Sequence, residues 1–100
     1  MRLVGVAMVR NEADIVEAFV RHNMTVVDAL TVVDHGSVDG TTEILSALRA
    51  EGLALTVEPE SELAQHQPEV LTRVARTAFG RGADVVFPLD ADEFLLPPSP

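Results

Sequence analysis

Leu3-Val4-Gly5-Val6-Ala7-Met8-Val9 opens the chain as an unbroken apolar run. A strand with one face in water alternates apolar and polar residues. An unbroken run instead predicts a strand buried on both faces, as in a parallel sheet covered by helices on either side. Arg10, Asn11 and Glu12 end it abruptly. It is far short of the ~20 apolar residues that span a bilayer, and no small-residue cleavage site follows it, so it does not read as a secretory signal. The expectation is a cytoplasmic protein without a transmembrane segment.

Working outward, strand and helix patterns alternate. Ile15, Val16, Phe19 and Val20 recur at helical spacing, with Asn11 or Asp14 available as N-cap. Residues 29–34 (ALTVVD) predict a second strand, and Asp34-His35-Gly36-Ser37-Val38-Asp39-Gly40 a turn-rich loop. Residues 41–51 carry Ile44, Leu45 and Leu48 on one helix face; Asp39 or Thr41 caps the start, and Gly52 stops it. Residues 53–58 (LALTVE) predict a third strand closed by Pro59, and 60–67 a polar loop. A third helix follows over 68–79, with Pro68 at its first position and Val70, Leu71, Val74, Ala75 and Ala78 on its apolar face. Residues 84–89 (DVVFPL) form the fourth strand, in which Pro88 implies an end, an edge or a bulge. Residues 95–100 are irregular, the last four a disordered tail.

The order β-α-β-α-β-α-β predicts an α/β fold: a Rossmann-like parallel sheet, strand order 3-2-1-4, with right-handed crossovers and helices on both faces. Ligands of such sheets bind beyond the carboxyl ends of the strands, at the switch point between the first and fourth. Residues 10–12, 34–39 and 90–93 would meet there, each the polar punctuation after an apolar strand.

Composition narrows the chemistry. The 100 residues hold one domain, 47% hydrophobic, with 7 cationic side chains, all arginine, against 16 carboxylates, a net charge of −9. With no cysteine there is no disulfide scaffold, thiolate zinc site or cysteine nucleophile. Nucleic acid is not an expected partner, because backbone phosphates demand clustered cations. An anionic ligand would need a metal ion as mediator.

Asp90-Ala91-Asp92 leaves two carboxylates on a short turn, and they repel unless a cation sits beside them. Magnesium or manganese suits such a pair, held by one or two carboxylates together with substrate phosphates. Two solvated acids ending a strand are the alternative. His22 reads as a partner of the first helix's C-terminal dipole, His66 as solvent-exposed, and His35 as a site candidate by location. Arg73 and Arg76 read as a solvated helix face.

Taken together, MVRNEAD, VVDHGSVDGT and FPLDADEF resemble, in order and spacing, the family-2 glycosyltransferases of A-type fold. The resemblance implies that residues 1–96 form the donor-binding half of an inverting enzyme that transfers a sugar from a nucleotide diphosphate sugar to an acceptor, with magnesium or manganese. It implies that Val9, Arg10, Asn11 and Glu12 line the base and ribose, and that Asp34 lies beside the base. His35 stands where many members carry an acid that reads the base, and Ser37 belongs to the same loop. Asp90 would contact ribose or a metal-bound water, Asp92 would ligate the metal, and Arg73 would approach the diphosphate. The family's general base comes from an acceptor half beyond this chain, so the 100 residues alone are expected to be inactive. The competing readings are a non-catalytic nucleotide- or metal-binding module and a phosphotransferase of the haloacid dehalogenase type. The latter, like a receiver domain, needs a lysine this chain lacks. An open edge on the fourth strand would favour a homo-oligomer.

Overall fold

The computed structural model describes residues 1–60 and 67–96. The elements run β1 (Leu3–Val9), α1 (Val16–Asn23), β2 (Ala29–Asp34), α2 (Thr41–Ala50), β3 (Leu55–Pro59), α3 (Gln67–Gly80) and β4 (Val85–Leu89). All pairings are parallel, and the sheet order is β3-β2-β1-β4, as the alternation of patterns predicts.

The apolar run of β1 is explained by its two faces. Val4 and Val6 pack with Val33, Val70 and Val74 under α3. Ala7 and Val9 pack on the opposite face with Val16, Phe19 and Val20 of α1 and Leu45 and Leu48 of α2. Alternate residues of one strand thus feed two cores, so its buried positions on both faces are apolar. Gly5 answers a local crowding: a Cβ there would lie 2.8 Å from Leu30 Cδ1 and 3.3 Å from Leu89 Cδ1, two leucines that close over β1.

Register positions the strand ends. Val9 pairs with Asp34, and Asp34 with Pro59, so β1, β2 and β3 finish level. Leu89 pairs with Ala7, so Asp90 leaves the sheet beside the last rows of β1. Pro88 pairs with Val6 on an edge strand, the position at which a residue without an N–H is tolerated.

Three boundaries differ from expectation. β3 starts at Leu55, because Leu53 and Ala54 serve the turn out of α2: the Leu55 N–H donates to the Leu53 carbonyl at 2.7 Å. An apolar Leu-Ala-Leu sequence does not mark where that turn ends. α3 begins at Gln67, one residue before Pro68. α1 is capped by neither Asn11 nor Asp14; its N-cap is Ile15, without a side-chain cap bond. The Glu12 carbonyl accepts the Ile15 and Val16 N–H groups instead, at 3.1 and 2.8 Å. The polar loop expected over 60–67 falls largely, and the tail expected over 97–100 wholly, outside the described residues. No helix among the described residues is long and apolar enough to cross a membrane.

Candidate functional site

The loops after β1 and β2 are built as one unit. The Asn11 N–H donates to Ser37 Oγ at 2.9 Å, and Asn11 Oδ1 accepts the Val38 N–H at 2.8 Å. Asn11 makes this exchange in the left-handed region, at φ 54, a conformation its short polar side chain tolerates. One step on, Thr41 Oγ1 accepts the Glu12 N–H at 2.9 Å and donates to Asp39 Oδ1 at 2.6 Å. Asp39 also accepts the Thr41 and Ala13 N–H groups, both at 3.1 Å. The Thr41 hydroxyl, with these backbone donors, holds the Asp39 carboxyl below the usual carboxylate range. Asp39 and Thr41 read from sequence as caps of α2, but its N-cap is Gly40, without a side-chain cap bond; the two side chains tie loops whose residues lie 26 to 29 positions apart.

Thr41 is fully buried, so its hydroxyl has no water to fall back on. In Thr41→Val the shape is kept, while the Glu12 N–H loses its partner and Asp39 Oδ1 keeps only the Thr41 N–H. The expected loss is about 1–3 kcal/mol of unfolding free energy, checked by urea denaturation. A loss below about 0.5 kcal/mol would show that the loops hold without this bond.

Asp34 ends β2 buried, at 6% exposure. Its Oδ1 accepts the Ser37 N–H at 3.3 Å, and its Oδ2 accepts the Thr42 hydroxyl. The carboxylate is therefore turned back onto its own loop and the start of α2. Beside it a cleft of about 270 Å³ is lined by Asp34, Gly36, Ser37, Thr42, Pro59 and Glu60.

The acidic turn after β4 is closed by Glu93. Its Oε1 accepts the Asp90 N–H at 2.8 Å, and its own N–H donates to the Asp90 carbonyl at 2.9 Å. Asp90 and Asp92 are exposed, and with Ala91 they line a cleft of about 470 Å³ shared with Met8, Glu12 and Ile15. That cleft lies between the ends of β1 and β4, at the switch point of the strand order.

The donor set bears on a metal. Among the described residues no group of three or more His, Cys, Asp and Glu could hold an ion. Asp90 and Asp92 supply two open carboxylates, while that of Glu93 is committed to the Asp90 N–H. This is no all-protein cage. It fits an ion that keeps waters and arrives with phosphate oxygens, the habit of magnesium and manganese.

The structure brings Glu12, Asp90 and Asp92 into one cleft, and Asp34 and Ser37 into another. Val9 is buried, and its carbonyl is taken by the His35 N–H at 2.8 Å. His35 is half-buried and Arg10 exposed at the end of β1. Arg73 lies outside both clefts, in an exposed ion pair with Glu58 of β3 at 3.3 Å. Glu93 falls in the 90–93 segment expected at the strand ends, whereas Asn23 is not among the residues that the sequence places there. The signal for Asn23 was present: Val16, Phe19, Val20 and Asn23 follow i, i+3, i+4, i+7, and a polar residue on an apolar stripe marks a buried, partnered amide.

Strand order and strand-end acids together define an α/β unit with an acidic crevice at the switch point. The chain is similar in structure to a glycosyltransferase: the mannosyltransferase PcManGT from Pyrobaculum calidifontis, solved in complex with GDP-Man and Mn2+, superposes with a TM-score of 0.66 at 26% identity. The match covers 91% of this chain and 27% of that one, so the chain spans about a quarter of the length of that enzyme. No family model matches the chain, and no curated protein sequence does.

Proposed function

We propose that the crevice between β1 and β4 is the donor site of a family-2-type glycosyltransferase, and that residues 1–96 form its nucleotide diphosphate sugar-binding half. One observation carries the reading: Asp90 and Asp92 line a single cleft with Met8, Glu12 and Ile15 at the switch point. The similarity to a mannosyltransferase crystallised with GDP-Man and Mn2+ supports it.

In this reading Asp92, with Asp90, holds a magnesium or manganese ion. Bound there, the ion supplies charge stabilisation for the diphosphate leaving group as the glycosidic bond breaks. Two carboxylates repel a diphosphate, and a divalent ion beside them reverses that local field. Arg10 and Glu12 border the nucleoside beyond the end of β1, with Val9 buried beneath them, and Asp34 and His35 border it at the end of β2. Asn11 and Ser37 serve the site by locking the two loops together. Arg73 reaches the diphosphate only by leaving Glu58, and an exposed pair of that kind is worth no more than about 1 kcal/mol.

The test is calorimetric titration of the chain with GDP, in MnCl2 and in EDTA. Binding is expected in manganese and lost on chelation. Equal affinity in EDTA, or no heat in either buffer, would overturn the proposal.

A further inference from the structure

We propose that Asn23, the last residue of α1, is a positioning residue for the Asp90–Asp92 turn. This rests on the reading of that turn as the metal and diphosphate site. Asn23 is completely buried. Its Nδ2 donates to the Phe19 carbonyl at 3.0 Å and to the Glu93 carbonyl at 2.9 Å. Its Oδ1 accepts the Leu95 N–H at 2.9 Å. The amide thus grips the carbonyl of one residue and the N–H of the next but one, as a neighbouring strand would. Chain 93–95 has no strand partner among the described residues, and a side chain 70 to 72 positions away supplies the rung.

The neighbouring residue strengthens the clamp. His22 Nε2 lies 2.6 Å from the Leu95 carbonyl, and its ring meets Phe94 edge-on at 5.2 Å. His22 also stands in the last turn of α1, where its reading as a dipole partner puts it, so the specific contact adds to that role.

Glu93 is the joint between clamp and site. Its backbone carbonyl is held by Asn23, while its side chain and N–H close the turn on Asp90. Two like charges two residues apart push the turn open, and a fixed Glu93 opposes that push. Groups that only orient a metal ligand are typically worth 10–100-fold in metal affinity.

The test measures Mn2+-dependent GDP binding by calorimetry in the unaltered chain and three variants. Asn23→Asp keeps the shape and removes both donors. Leu95→Pro removes the N–H from the other side and leaves α1 untouched. Val74→Ala weakens the core on the opposite face of the sheet, far from the turn. Asn23→Asp and Leu95→Pro are expected to bind roughly 10–100-fold more weakly, and Val74→Ala as the unaltered chain does. If Asn23→Asp fails to fold, Leu95→Pro decides. Unchanged affinity in the clamp variants, or an equal loss in Val74→Ala, would overturn the positioning role alone. No manganese-dependent binding by the unaltered chain would overturn the site reading and this proposal with it.

Discussion

Asp92→Asn is expected to weaken Mn2+-dependent GDP binding by at least about 100-fold, because groups that merely orient a metal ligand are already worth up to roughly that much. Asparagine keeps one neutral oxygen at the position and loses the charge that attracts the ion. The expected effect on the fold has the opposite sign. Asp92 is exposed, and among the described residues its carboxylate makes no hydrogen bond or ion pair. Removing it relieves repulsion with Asp90, so the thermal midpoint of the metal-free protein should stay level or rise. Calorimetry and a melting curve on the same sample separate the two effects. Binding retained within about threefold, or a lower midpoint explaining the loss, would refute Asp92 as the metal ligand.

Phe19→Ala is expected to cost about 3–5 kcal/mol of stability. Phe19 is fully buried and heads the largest side chains of the core beneath α1 and α2. Its neighbours Val16, Val20, Leu45 and Leu48 are held by their own helices and can collapse only partly into the space. A domain of this size has about 5–15 kcal/mol in all, so the substitution removes a large share. At about 4–8 °C per kcal/mol, the midpoint should fall by at least about 12 °C. Among the described residues the surface ion pairs offer no comparable lever. Arg21 holds Glu51 with two bonds of 2.6 and 3.0 Å and Glu17 at 2.8 Å, but all three side chains are about half exposed and screened. A fall of only a few degrees by circular dichroism would show that the packing around Phe19 is looser than its burial indicates.

Both expectations follow from features of very different legibility. β1 and β2 could be delimited from the residues, because an apolar run between polar punctuation has one physical use in an α/β chain. β3 could not, since Leu53 packs against the core as a strand residue would while belonging to a turn. The position of Asp90 and Asp92 after an apolar strand was equally readable. Their cleft-mates were readable only as strand ends that had to converge.

The hydrogen-bonding residues divide differently. Asn11 and Asp39 could each be read as a helix cap; instead they join two loops. Asp34 ends its strand as expected, and its carboxylate points back to Ser37 and Thr42. No local rule distinguishes these outcomes, because each side chain offers the same donors and acceptors to any partner that comes near.

The sequence by itself thus determined the alternation of elements, the two-faced burial of the sheet, and which acids stand at which strand end. Those properties follow from the spacing of apolar residues, which every residue carries locally. Only the tertiary structure decided which polar side chains remain open to the cleft and which are consumed in holding it. That choice depends on the register Val9–Asp34 and Ala7–Leu89, which brings the loops within hydrogen-bond reach. Asn23 depends on it most, because its partners Glu93 and Leu95 are its neighbours only once β4 has taken its place beside β1.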